Sequence, residues 1–191
     1  MSRTNGRLAL RRALICRQYA DANKGFGPAI GQPYTALPNW ALVIQTDSGQ
    51  AGTGAEVYST RSVLVCPSIA ARYRAEPMTR TYAMNATGHA GLPGDPDNYD
   101  DAARVSSIRF DSVPFPATTP LLMDSAVPPP TTSNPPPPTR TASMLDFRQA
   151  EHVSQRLGRF HGRLGMFDIV AFDGSARACR DVAAGWTRPL P

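Results

Sequence analysis

The side chains that could carry chemistry in this sequence are scarce: three histidines, three cysteines and one short run of aspartates. His161, Asp173 and any of several serines can be arranged on paper as a Ser/His/Asp triad, the constellation that activates a hydroxyl nucleophile. No Gly-x-Ser-x-Gly elbow accompanies them, and Asp173 belongs to an Asp-Gly turn signal, so no triad is assigned. His152 and His161 are nine residues apart, too far for one helical face of the usual metal arrangement, and the sequence offers no obvious third ligand. Cys16, Cys66 and Cys179 make neither a Cys-x-x-Cys pair nor a zinc spacing. A Cys66–Cys179 bridge is conceivable in an oxidising compartment. Three small buried side chains are the simpler reading, and the sequence leaves both open. The loop carrying Asp95, Asp97, Asn98, Asp100 and Asp101 gathers the hard oxygen donors that Ca²⁺ takes. Its spacing is not that of an EF-hand and it lacks the closing glutamate, so a solvated turn is preferred. No cofactor is assigned; Ca²⁺ is the one ion the residues suggest.

The elements that must position these residues come from a chain of 191 residues with 41 % hydrophobic and 18 % charged positions, a size that favours one domain. Nineteen prolines beside fifteen glycines point to a loop-rich chain rather than a helical bundle. No stretch of eighteen apolar residues occurs, so nothing in the sequence as written spans a membrane. Nor does Met1 open a secretory signal, since polar residues and arginines follow it. Membrane channel, coiled coil, collagen and wholly disordered chain are excluded. The net charge of +5 rests on arginine, with Lys24 the only lysine. No groove-reading motif accompanies that charge, so nucleic acid is not expected as a partner.

Residues 7–22 read as a helix, with Leu8, Leu10, Leu14, Ile15 and Tyr19 on one apolar stripe and Arg7, Arg11, Arg12 and Arg17 filling most of the rest. Asn23-Lys24-Gly25 is its stop, Gly25 being suited to the left-handed cap. The run Trp40-Ala41-Leu42-Val43-Ile44 suits a strand or a buried helical turn. Ser62-Val63-Leu64-Val65-Cys66 reads as a strand ended by Pro67. Further strands are expected at 81–85, 106–110, 120–124 and 166–172, the last closed by the Asp173-Gly174 turn with a return at 176–180. A short helix is expected within 149–160. Residues 125–143 form a Pro-rich exposed loop, between a first sheet region with its loops over 40–124 and a C-terminal helix and hairpin over 144–182. The sum is an α+β fold: one N-terminal helix on a small antiparallel sheet with long loops, as a single domain over 1–191.

The order of short signals adds more. Leu10-Arg11-Arg12, Tyr19-Ala20-Asp21-Ala22-Asn23-Lys24-Gly25, Pro28, Trp40, Val65-Cys66-Pro67-Ser68, Thr81-Tyr82-Ala83-Met84-Asn85, the run from Pro116 to Asp124, and Arg159-Phe160-His161 ahead of Phe172-Asp173-Gly174 follow one another along the chain. Together they resemble the globular part of the pilin-like, type II secretion pseudopilin-like proteins of planctomycetes and their relatives, chains that close on a histidine, nine residues and Asp-Gly. The resemblance runs from about Leu10 to Arg180. It marks Tyr19, Asn23, Gly25, Trp40, Cys66, Pro67, Ser68, Tyr82, Asn85, Asp124, His161, Asp173 and Gly174 as pattern positions, without implying catalysis for any of them. Here eleven residues separate His161 from Asp173; two extra residues in a hairpin preserve the facing of the side chains.

The resemblance implies a non-enzymatic structural subunit akin to a type IV pilin or type II secretion pseudopilin, outside the cytoplasm, in periplasm or at the cell surface. It would self-associate through its N-terminal helix into a filament or oligomer, with secretion or pilus assembly proteins as partners. In that family an apolar half-helix, behind a prepilin leader, precedes the segment that 8–22 resembles, and it lies in the membrane before assembly. The sequence as written shows neither. The expectation is therefore either a start upstream of Met1 or a soluble relative. The alternative function is a soluble extracytoplasmic module that holds a glycan, a peptide or Ca²⁺ on a pilin-like scaffold.

Overall fold

In the computed structural model the described residues are 3–30, 39–49, 63–72, 78–95, 106–126, 139–140, 142–162 and 165–191. Helix α1, Arg3–Ala22, is about 30 Å long at the usual rise per residue. It stops because Gly25 takes φ +86°, a left-handed conformation that costs glycine little, and donates its N–H to Ala20 O at 2.9 Å. Space enforces the same choice, since a Cβ at Gly25 would lie 2.8 Å from Asp111 Oδ2. Asn23 Nδ2 adds a bond to Tyr19 O at 2.7 Å.

The run at Trp40 resolves to a helix. α2, Trp40–Asp47, starts at the buried Asn39, whose Oδ1 accepts from the N–H groups of Ala41 and Leu42, each at 3.0 Å, satisfying two otherwise unpaired donors. Trp40 itself is buried, with the Arg80 guanidinium 5.8 Å from its ring centroid. The expected strand ending at Cys66 is not formed: the described part, 63–66, is turn and irregular chain, and helix α3, Pro67–Arg72, begins at the proline. Proline has no N–H to lose at a first helical position, and its fixed φ suits one. Its place after the apolar run marks a helix start rather than a strand end.

Seven strands follow among the described residues: β1 Met78–Arg80, β2 Tyr82–Asn85, β3 Pro120–Asp124, β4 Thr139–Arg140, β5 Met144–Leu145, β6 Phe167–Ala171 and β7 Ala176–Cys179, with helix α4, Ala150–Arg156, ahead of β6. The fold is mixed α+β. β5-β2-β3-β6-β7 form one five-stranded sheet, and β1 pairs with β4 apart from it. The sheet is not wholly antiparallel as expected, because β5 joins β2 parallel, Met84 opposite Met144. The strand expected at 106–110 is instead a bridge of Arg109 to Phe26 and a 3₁₀ turn, Phe110–Ser112. The strands expected at 81–85, 120–124, 166–172 and 176–180 are present within a residue or two, as is the helix within 149–160. Residues 127–138, with most of the Pro-rich loop, lie outside the described residues.

Every residue of β2, β3 and β6 is buried, so these strands are mostly apolar on both faces rather than alternating, with Asn85, Asp124 and Asp168 the polar exceptions among their buried residues. Tyr82, Met84, Leu122 and Val170 belong to one core cluster with Ala13, Ile15, Cys16 and Trp40. Ala83, Met123, Phe167 and Ile169 belong to a second with Leu157 and Trp186. α1 contacts β6, β7 and α2. That splits the expected stripe of α1: Ile15 is buried, whereas Leu10 and Leu14 stay 51 % and 52 % exposed. Arg12, expected on the wet face, is buried.

Asp95 and Asp146 together hold Arg148. Nη1 and Nη2 reach Asp95 Oδ1 and Oδ2 at 2.7 and 2.8 Å, and Nη2 reaches Asp146 Oδ2 at 2.6 Å. The Asp146 side chain has no exposure. Replacing Arg148 by Met should therefore leave a buried carboxylate without its cation and lower the unfolding free energy by about 3 kcal/mol, the order found for broken buried pairs. Arg148 also holds the Asp95 carboxyl below its ordinary value, chiefly by hydrogen bonding. A depressed carboxyl contributes stability above its unfolded value and loses it as pH falls through the folded one. Urea titrations from pH 5 downward should show this acid-side loss in the wild type and a shallower loss in Arg148→Met.

Candidate functional site

Strand register builds the site before any long side chain is considered. Tyr82 pairs with Asp124 across β2 and β3. Met123 pairs with Ile169 across β3 and β6, which sets Asp124 beside Asp168. Tyr82, Asp124 and Asp168 thus form a row across three strands, on the face that carries Leu122 and Val170, because side chains alternate along each strand. Asp168 N–H donates to Asp124 Oδ2 at 2.5 Å, closing the row on its second side.

Two further residues descend on this row from connections. Cys66 is fixed just before α3 by its N–H donating to Thr81 Oγ1 at 2.7 Å, while Thr81 N–H donates to Leu64 O at 3.0 Å. His161 is fixed between α4 and β6 by paired backbone bonds with Met166, both 2.8 Å. The approach to it needs a glycine: a Cβ at Gly158 would stand 2.6 Å from Ser125 O. His161 Nε2 then lies 3.1 Å from Asp124 Oδ2, 3.7 Å from Asp168 Oδ2 and 3.7 Å from Cys66 Sγ. One donor atom each from Cys66, Asp124 and His161 falls within 4.8 Å of the others. Tyr82 hydrogen-bonds Cys66 from the side, and the Arg12 guanidinium lies over the Tyr82 ring, 4.1 Å from its centroid. Arg12 Nε also donates to Val63 O at 2.7 Å, so α1 touches the rim of the cluster.

Burial sets the protonation of the group. It pushes the Asp124 carboxyl up to about 6, against the hydrogen bonds from His161 and the Asp168 N–H that favour the charged form. His161 is raised, first by its hydrogen bond to Asp124. Their mutual hydrogen bond thus favours the charged form of each, while burial opposes it. Burial also raises Asp168, Cys66 and Tyr82. Asp124 Oδ1 and Asp168 Oδ1 are buried with no hydrogen-bond partner among the described residues.

Chemically, this is not a thiol triad. In such a triad the base takes the nucleophile's proton on one ring nitrogen while an acid orients the other. Here Cys66 and Asp124 both face Nε2. The thiol is moreover raised by burial, whereas reactive cysteines are lowered. What the arrangement can do is hold a cation, since thiol, imidazole and carboxylates converge on one small volume.

No family model, curated protein or solved structure matches the chain.

Of the positions marked by sequence, the fold brings Cys66, Tyr82, Asp124 and His161 together. The others have separate duties. Asn85 Nδ2 donates to Pro120 O at 2.8 Å and its Oδ1 accepts from Thr87 N–H at 3.0 Å. Asp173 Oδ1 accepts from Ser175 N–H at 2.8 Å, and Gly174 N–H donates to Ala171 O, forming the β6–β7 turn. Asp173 is therefore no partner of His161 here. Pro67 and Ser68 are exposed at the start of α3, while Tyr19, Asn23 and Gly25 end α1. All three cysteines are free thiols, Cys16 and Cys66 buried, so no Cys66–Cys179 bridge forms. Of the acidic loop only Asp95 lies among the described residues, and Arg148 engages both its oxygens; Asp97, Asn98, Asp100 and Asp101 lie outside them. Sequence reasoning missed Asp168 and Arg12. The signal for Asp168 is a carboxylate interrupting the apolar run of β6.

His161→Ala should cost about 3 kcal/mol of unfolding free energy at neutral pH, because it strands two buried carboxylates without their cation. Asp124→Asn in the same chain should recover a large part of it. A double-mutant cycle by urea denaturation measures the coupling.

Proposed function

We propose that the chain is a non-enzymatic structural subunit of the pilin or pseudopilin kind, assembling through α1 into a filament or oligomer outside the cytoplasm, with secretion or pilus assembly proteins as partners. The observation that carries this reading is the two-sided character of α1. One side, through Ala13, Ile15, Cys16 and Ala20, is buried in the core. On the other side Leu10 and Leu14 stand half exposed, four residues apart, as an i, i+4 pair does on a helix surface. A shallow cavity of about 180 Å³ lies between these leucines, Arg17 and the β6–β7 turn at Phe172 and Gly174. A helix from a neighbouring subunit, seated along Leu10 and Leu14, would cover apolar surface worth about 25 cal/mol per Å².

The pilin-like arrangement of an N-terminal helix lying on a sheet that ends in a C-terminal hairpin is part of the same proposal. The contacts of α1 with β6 and β7 support it. No described helix is long and apolar enough to cross a membrane. Assembly of the described part would use its amphipathic surface.

Protein recovered from its native source should sediment as oligomers or appear as filaments by electron microscopy. The pair of substitutions Leu10→Glu and Leu14→Glu should leave monomers. Both positions are half exposed, so each should change monomer stability by no more than about 0.5 kcal/mol. A native protein that stays monomeric at high concentration overturns the reading, as does a double variant that still assembles.

A further inference from the structure

We infer that Cys66, Asp124 and His161, with Asp168 at their edge, form a structural site for a divalent transition-metal ion of the zinc type. The inference is independent of how or whether the chain assembles. Donor chemistry selects the ion class. One sulfur, one imidazole nitrogen and carboxylate oxygens suit Zn²⁺ and its neighbours, whereas Ca²⁺ and Mg²⁺ take oxygen alone.

Geometry agrees. Around a tetrahedral zinc with ordinary bond lengths, neighbouring N and O donors stand about 3.4 Å apart and S and N donors about 3.6 Å apart. The distances from His161 Nε2 are 3.1 Å to Asp124 Oδ2, 3.7 Å to Asp168 Oδ2 and 3.7 Å to Cys66 Sγ. The three distances at the imidazole nitrogen fall close to such edges, and the donors that all lie within 4.8 Å of one another are those of Cys66, Asp124 and His161, with Asp168 adjoining them at His161.

Polar accounting shows unmet demand on the same two carboxyl groups, at the oxygens that do not face His161. Two buried carboxylate oxygens, Asp124 Oδ1 and Asp168 Oδ1, find no partner among the described residues, although buried polar atoms are nearly always satisfied. Two carboxylates face one imidazole, so a cation supplies charge that the cluster lacks. The surroundings resemble an outer shell that orients ligands: Asp168 N–H holds the Asp124 carboxylate, Tyr82 hydrogen-bonds Cys66, and Thr81 Oγ1 holds the Cys66 backbone. Entry is open on one side, where the His161 and Asp168 side chains keep 14 % and 11 % exposure. On binding, the Cys66 S–H bond breaks, its proton leaves to solvent, and a sulfur–metal bond forms. His161 ligates through neutral Nε2, so the proton it shares with Asp124 leaves as well.

The test uses reduced, chelator-treated full-length protein, with Zn²⁺ alone for affinity and Co²⁺ alone as a spectroscopic probe. The wild type should bind one ion per chain and melt higher with Zn²⁺, by mass action. With Co²⁺ it should show a thiolate-to-metal charge-transfer band and the intense visible bands of a four-coordinate site. Cys66→Ser should lose the charge-transfer band and bind Zn²⁺ more than about 100-fold less tightly, beyond the loss expected from an outer-shell change. Cys179→Ser should keep both. Asp168→Asn, at the exposed edge, should weaken Zn²⁺ at least about tenfold and serves if Cys66→Ser fails to fold. Absence of the band in the wild type, its survival in Cys66→Ser, or unchanged Zn²⁺ affinity in Asp168→Asn overturns the site.

Discussion

Asp124 ends the middle strand of the five-stranded sheet with a side chain that water does not reach, and a carboxylate in that position imposes conditions on everything around it. Its charge is tolerable only with a cation and hydrogen-bond donors at hand. His161 supplies the first, and the Asp168 N–H supplies one of the second. To bring His161 there, the chain after α4 must pass tightly against Ser125, hence Gly158, and must fold back through the bridge to Met166. The β3–β6 register is bound by the same need, since a slip of one residue would turn Asp168 to the other face. Sheet pairing, the α4–β6 connection and the position of Cys66 are thus parts of one solution.

Much of the secondary structure was legible from local signals. α1 announced itself by spacing and by Gly25, and β6 by a short apolar run ending in Asp-Gly. The stretch at Val63-Leu64-Val65 deceived because β-branched and apolar residues favour strands only where a neighbouring strand pairs with them. Here the chain turns instead, so that Cys66 can bond Thr81 and Pro67 can open α3. The parallel entry of β5 had no sequence signal, because two residues carry no register information. Side-chain partners were the least legible part. Cys66, Tyr82, Asp124 and His161 were marked singly through a resemblance, yet only the strand register together with the connections before α3 and after α4 shows that they meet. His161 and Asp173 made a pair on paper, while the actual partner, Asp124, ends β3.

Arg12 links the two surfaces that matter most. Arginines of α1 look alike in sequence, but Arg12 alone among the described ones of the helix is buried, over Tyr82 and bonded to Val63 O. A guanidinium stacked on an aromatic ring gives both packing and charge. The helix whose outer side carries Leu10 and Leu14 is therefore fastened, on its inner side, to the same tyrosine that supports Cys66. The position of α1 on the core and the integrity of the cluster are coupled through one side chain.

The cluster is also assembled from distant parts of the chain. Cys66 and His161 are 95 positions apart, and Asp124 and Asp168 are 44 apart. Contacts across such separations close late, because the entropy of loop closure opposes them until nearer contacts have formed. During synthesis from the N-terminus, Cys66, Tyr82 and Asp124 are all made before His161 exists. Until the final hairpin docks, the thiol has no imidazole over it and the carboxylate can still be hydrated. The completed cluster is thus a signature of a finished chain, which a product cut short before β6 cannot carry.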